Sequence, residues 1–196
     1  MQKEGVLKWI SRGRPRVLAK VLIKPMTAGE IWQAARQLNP KIQLRDVRPL
    51  LRPFIEKGLI YCLVHEKVKG SLFFWTEYGK EIVSLAGIYV PAAPDIDWNA
   101  YSFVVRAKMR RLIVSELSRP GQKQPVWTAE EIRRVLSKQQ TFGLRSITRA
   151  LKGLEACGVI ECVGYTETGK RKLYRLVEKG RKIACQLSES RAVMNE

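Results

Sequence analysis

RSITRALKGLEACGVIE, residues Arg145–Glu161, is the stretch that decides the fold. Taken at about 100° per residue, it puts Ile147, Leu151 and Leu154 on one side and Arg145, Arg149 and Lys152 on the other. A helix divided in this way has one face for a core and one for an anion. Gly158 stops it, as a left-handed residue just past a helix end does, and an apolar strand start follows. RDVRPLLRPFIEKGLI, Arg45–Ile60, reads the same way a hundred residues earlier. There Val47, Leu51 and Phe54 oppose Arg45, Arg48 and Arg52, and Gly58 is the stop.

The likeness extends in both directions. Thr27, Ala28, Glu30 and Ile31 match Thr128, Ala129, Glu131 and Ile132. Leu44, Arg45, Leu51, Gly58, Ile60 and Cys62 match Leu144, Arg145, Leu151, Gly158, Ile160 and Cys162. Glu77, Gly79 and Ile82 match Glu178, Gly180 and Ile183. A repeat of this period implies two copies of one small domain. The expected division is residues 1–87, a Pro- and Asp-containing linker at 88–98, a second domain at 99–187 and a flexible tail at 188–196.

Within each copy the order of elements is legible. Arg16–Ile23 reads as an opening helix with Pro15 at its first position, and Ala100–Ser118 is its longer counterpart. Thr27 and Thr128, each followed three residues on by glutamate, are capping boxes that start a second helix. Ile31, Ala34, Ala35 and Leu38 form its buried stripe in one copy, and Ile132, Val135 and Leu136 in the other. The third helix is the one quoted above. A hairpin follows each stop glycine: Leu59–His65 with Ser71–Thr76, and Val159–Tyr165 with Lys172–Val177. A short closing helix is expected after Gly79 and Gly180. The fold class is therefore mainly α with small β-hairpins. Pro49 and Pro53 interrupt the third helix of the first copy, and an interior proline disfavours helix by ~3 kcal/mol, so a kink or a shortened helix is expected there.

Three helices and a basic-tipped hairpin resemble the winged helix-turn-helix regulators of the MarR and PadR type. The resemblance is carried by Arg145–Glu161 with GKRKLYRLVEKGRKI (Gly169–Ile183), and more loosely by Arg45–Ile60 with FWTEYGKEI (Phe74–Ile82). It implies two tandem winged-helix domains, with the third helix in the major groove of double-stranded DNA and the hairpin against backbone or minor groove. The residues implied for groove contact are Arg145, Ser146, Thr148, Arg149 and Lys152, with Lys170, Arg171 and Lys172 as backbone clamps. Their first-copy counterparts are Arg45, Arg48, Arg52, Lys67 and Lys69. Arginine can bond bidentately to guanine or phosphate, and hydroxyls can meet phosphate oxygens or base edges.

Charge agrees with a polyanionic partner. The chain carries 36 Lys+Arg against 18 Asp+Glu, a formal net charge of +18. Residues 1–98 hold 16 against 9 and residues 99–196 hold 20 against 9, so both copies are basic (+7 and +11). A charge of this size repels itself in the compact state and is most often used on nucleic acid. No apolar run approaches the ~18 residues of a membrane span, and Met1–Lys8 lacks the apolar stretch of a signal peptide. The four cysteines show no zinc-ligand spacing. Cys62 and Cys162 share a strand face with Ile60 and Ile160 and are expected as buried free thiols of a cytoplasmic, nucleoid-associated protein.

Two shorter motifs compete for attention. RGRPR at Arg12–Arg16 resembles the core of an AT-hook, whose extended Arg12 and Arg14 would lie in a minor groove. The other reading is a basic lead-in to a helix. Gly164–Lys170 reads G-x-x-x-x-G-K, but Arg171 stands where a P-loop needs Ser or Thr, and the stretch joins two strands rather than strand and helix. His65 has no acid–base partner in the other copy. No enzyme, cofactor or metal site is expected. The expected function is sequence-specific double-stranded DNA binding by a transcription regulator. A plasmid or phage replication or partition factor, and a winged-helix protein-interaction scaffold, are the competing classes. Two copies in one chain imitate a dimer's pair of reading heads, and a homodimer through the Asn99–Leu117 helix is the other arrangement. No effector pocket is legible.

Overall fold

The computed structural model describes residues 3–63, 71–119, 126–138 and 140–192. It is mainly helical with small antiparallel sheets, and it divides into two compact units, Met1–Ser102 and Phe103–Glu196.

The first unit contains α1 (Lys3–Ile10), α2 (Gly13–Val21), β1 (Met26–Thr27), α3 (Ala28–Leu38), α4 (Leu44–Glu56), β2 (Ile60–Cys62), β3 (Leu72–Trp75) and α5 (Glu77–Leu85). β3 is the centre of a three-stranded sheet, pairing Met26 with Phe73 on one side and Ile60 with Trp75 on the other. Thr27 caps α3 as expected: its Oγ1 accepts from the Glu30 amide at 3.2 Å, and Glu30 Oε2 accepts from the Thr27 amide at 2.8 Å. The core is aromatic. Phe54 lies 4.8 Å from Trp9 and 5.9 Å from Trp75, ring centre to ring centre. Trp75 is buried, and its indole N–H donates to the Leu22 carbonyl at 2.7 Å, which satisfies the one polar atom it takes into the core.

The division between units falls inside α6 (Trp98–Val105). Residues 99–102, expected to open the second domain, cluster with the first. The Tyr101 hydroxyl donates to Glu30 Oε1 at 2.8 Å, using the carboxylate oxygen that the capping box leaves free.

The second unit continues with α7 (Lys108–Leu117), α8 (Ala129–Leu136), α9 (Leu144–Ala156), β4 (Ile160–Tyr165), β5 (Lys172–Leu176) and α10 (Glu178–Ala192). β4 and β5 pair antiparallel, with Ile160 opposite Leu176 and a register shift between Cys162 and Gly164. Trp127 bridges Tyr174 through two backbone hydrogen bonds of 2.9 Å. This repeats the place of β1 beside β3, because Met26 opposite Phe73 and Trp127 opposite Tyr174 are both 101 residues apart in register. The Thr128–Glu131 capping box is formed with the same geometry as its twin.

The third helices end alike. Gly58 and Gly158 have φ of +65° and +63°. The Leu59 amide bonds back to the Phe54 carbonyl and the Gly58 amide to Ile55. Val159 to Leu154 and Gly158 to Glu155 repeat the pattern, all at 2.8–2.9 Å. This is the double bond of a Schellman turn, closed by apolar contact between its outer residues.

Several expectations need correction. α1 is a helix that the sequence reading missed; it buries Val6 and Ile10. α2 begins at Gly13 and ends at Val21, not at Ile23. The Ala100–Ser118 helix is broken into α6 and α7 at Arg106–Ala107, where Ala107 is extended, so no continuous Asn99–Leu117 helix exists to pair two chains. The consecutive Val104 and Val105 are poor helix formers. The break is held by Arg110, whose guanidinium stacks over the Phe103 ring at 3.8 Å and donates to the Phe103 carbonyl. α4 is not shortened by its prolines: it has 13 residues, the same as α9. The carbonyls that Pro49 and Pro53 leave without a donor belong to Arg45 and Pro49, both exposed residues, while buried Val47, Leu51 and Phe54 hold the other side. Leu38 is exposed rather than part of the α3 stripe. The closing helices start at Glu77 and Glu178, two residues before the glycines, and α10 runs past residue 187 to Ala192, into the segment expected to be a flexible tail. Packed Ile183, Ala184 and Leu187 anchor it. Cys62, Cys157 and Cys162 are only half-buried and Cys185 is exposed, none of the four being in a disulfide.

Gly79 and Gly180 serve close packing. A Cβ at Gly79 would overlap the Leu59 carbonyl, and one at Gly180 the Val159 carbonyl. Gly79→Ala is expected to destabilise the first unit by at least about 2 kcal/mol. Gly5, inside α1 with open space around it, is the control: Gly5→Ala should gain roughly 0.5–1 kcal/mol from helix propensity. Urea unfolding midpoints compare the two, and equal midpoints would contradict the close approach.

Candidate nucleic-acid interface

α9 gives the site its form. Ile147, Leu151 and Leu154 are fully buried, which fixes the rotation of the helix about its axis. Arg145, Ser146, Arg149 and Lys152 are thereby exposed. Among the described residues, none of the three cations has an ion pair or side-chain hydrogen bond. Thr148 is half-buried, and its hydroxyl donates to the Leu144 carbonyl at 3.0 Å, so it can offer a ligand only its lone pairs. Gly153 lets the helix approach the Phe103 ring closely, since a Cβ there would come within 2.9 Å of the ring edge.

The hairpin between β4 and β5 turns through Gly169, at φ +67°. Its three cations are not equivalent. Lys170 is exposed and unpaired. Arg171 pairs with Glu130 in the first turn of α8, and Lys172 lies 3.7 Å from Glu155 of α9. These two carboxylates went unnoticed in the sequence, because the pairs join residues 17 to 41 apart along the chain. They tie the turn end of the hairpin to α8 and α9 and neutralise part of the expected clamp. Exposed pairs of this kind contribute little to stability, so a polyanion can exchange with them. α8 adds exposed Arg133 and Arg134, and Lys138 follows just past its end; the sequence reading also passed over them, although the helical spacing of Arg134 opposite Ile132 and Leu136 could have revealed that face.

In the first unit, Val47, Leu51 and Phe54 are buried and Arg45, Arg48 and Arg52 exposed. Arg45 and Arg48 are unpaired, whereas Arg52 Nε donates to Glu56 at 2.8 Å. Pro49 stands where α9 has Arg149, so this face carries fewer available cations. Lys67, Lys69 and His65 lie outside the described residues. The Arg12–Arg16 segment does not form an extended hook. Arg12 is extended, but Gly13 has φ +57° and Arg14, Pro15 and Arg16 are the first turn of α2. Arg12 and Arg14 remain exposed. Among the described residues no group of His, Cys, Asp and Glu could hold a metal ion, and no helix is long and apolar enough to cross a membrane.

Compared with known proteins, the chain matches no family model and no curated protein.

Two titrations belong to this hairpin. Burial raises the Tyr174 phenol above its usual pKa, and the neighbouring Glu155 carboxylate raises Lys172. In both cases the folded state holds its proton more tightly than the unfolded chain. Stability is therefore complete below the unfolded values near pH 10 and falls as pH rises toward the folded ones. Urea unfolding of the second unit between pH 8 and 11 should show this decline, and Tyr174→Phe should flatten it. An unchanged slope in that variant contradicts the assignment.

Proposed function

We propose that the chain is a sequence-specific double-stranded-DNA-binding protein, a transcription regulator built from two winged-helix units. The observation that carries this reading is α9: an apolar face wholly buried, and on the opposite face three cations without partners. A protein gains nothing in stability from like charges gathered on one exposed helix face, but a phosphate backbone does use them. The helix, its glycine turn and the hairpin recur in the first unit, and an order of helices followed by a hairpin in each supports the winged-helix reading. Unpaired Lys170 at the hairpin tip adds a cation suited to backbone contact. With Arg149 and Lys152 available where the first unit has Pro49 and a tied Arg52, the third helix of the second unit is the stronger binder of the two.

Binding to a labelled duplex should weaken steeply with salt, with log K falling by about 0.9 per log salt for each phosphate neutralised. Arg145→Glu with Arg149→Glu should make that slope shallower by about 2 and reduce affinity at low salt by roughly 100-fold. Both side chains are exposed, so the unfolding midpoint should not move. A wild-type protein that binds no duplex at low salt, or a double variant that binds as wild type, would overturn the proposal.

A further inference from the structure

The residues shared by the two copies can be sorted by what holds them. Thr27 with Glu30 and Thr128 with Glu131 are capping boxes. Ile31, Leu51, Ile60 and Ile82 are buried, as are their counterparts Ile132, Leu151, Ile160 and Ile183. Gly58 and Gly158 are left-handed, and Gly79 and Gly180 face carbonyls. Ala28, Ala129, Cys62 and Cys162 are half-buried. Glu77 and Glu178 pair with lysines one turn on, at 2.6 and 3.8 Å. One shared dipeptide is left over: Leu44–Arg45 and Leu144–Arg145.

Neither packing nor capping requires it. Leu44 is 51% exposed and Leu144 38%. Ile42, just before the N-cap of α4, and Val47 are both buried in the first core and hold the positions of a hydrophobic staple; half-buried Phe142 and buried Ile147 hold the same positions in α9. Arg45 and Arg145 are exposed and unpaired. A single exposed leucine is ordinary. The same exposed leucine before the same unpaired arginine, on two faces that otherwise differ (Arg48 and Thr148, Pro49 and Arg149, Arg52 and Lys152), is a pattern that folding alone does not need.

We infer that this Leu–Arg pair is the base-reading element common to both units, the arginine bonding to guanine and the leucine covering the methyl group of a neighbouring thymine. The inference rests on the DNA-binding reading above and narrows it. Guanine O6 and N7 match a guanidinium bidentately, and the thymine C5-methyl is the apolar feature of the major groove. Adjacent residues in the first turn reach adjacent base pairs. The preferred target therefore holds a thymine beside a guanine twice, once per unit, with different flanking bases because the remaining face residues differ.

The test starts with full-length protein selecting from a pool of random duplexes. The recovered duplex is then remade with deoxyuridine at the thymine beside the guanine whose preference Arg145→Ala loses, which deletes only the methyl group at the second unit's step. Wild type should bind the deoxyuridine duplex about fourfold more weakly, the worth of one buried methyl. Leu144→Ala should not distinguish the two duplexes, and Arg145→Ala should lose about tenfold or more of its preference for guanine. Recovered sites without a thymine–guanine step overturn the inference. So does a wild type indifferent to the methyl, the outcome if the leucines serve a protein partner, or a methyl preference that survives in Leu144→Ala. In those cases salt-dependent duplex binding would persist and the broader reading would stand. A protein that retains no duplex would remove both.

Discussion

Each unit depends on one corner, where the third helix turns into the hairpin. The left-handed glycine reverses the chain, and the next residue sends its amide back into the helix. That residue's carbonyl receives the amide at the far end of the hairpin: Thr76 to Leu59 at 2.9 Å, Val177 to Val159 at 3.3 Å. The closing helix packs over the same carbonyl through Gly79 or Gly180. Helix, hairpin and closing helix are thus locked at one peptide group. The lock fixes which side of the third helix is buried, and so which side carries charge outward.

The parts of this arrangement legible in the sequence are those written in local spacing. The capping boxes need residues three apart, the amphipathic faces need a helical period, and the glycine stops need a residue free to take positive φ. What the sequence did not disclose depends on contacts between distant residues. α1 has too short an apolar pattern to stand out until Val6 and Ile10 meet the core. The break between α6 and α7 rests on Arg110 capping Phe103. The full length of α4 despite two prolines follows from a buried side strong enough to override propensity. It also follows from end bonds that need neither proline amide, the Asp46 carboxylate accepting from the Gln43 amide at one end and the Schellman turn at the other.

The candidate site divides in the same way. The exposure of Arg145, Arg149 and Lys152 was readable, because the burial of Ile147, Leu151 and Leu154 dictates it. The pairing of Arg171 with Glu130 and of Lys172 with Glu155 was not. Those pairs partly neutralise the hairpin, whereas the α9 face carries its cations unpaired. The two copies share a scaffold but not a charge pattern: Pro49 and the Arg52–Glu56 pair lower the available charge in the first unit.

The central claim is that the α9 face and the hairpin tip meet the nucleic acid. Amide NMR of the isotopically labelled chain, titrated with a short duplex at low salt, addresses it directly. The account predicts the largest shift changes at residues 144–152 and around Lys170, with smaller ones along the exposed side of α4. Duplex binding that leaves those amides unmoved while others shift would contradict it.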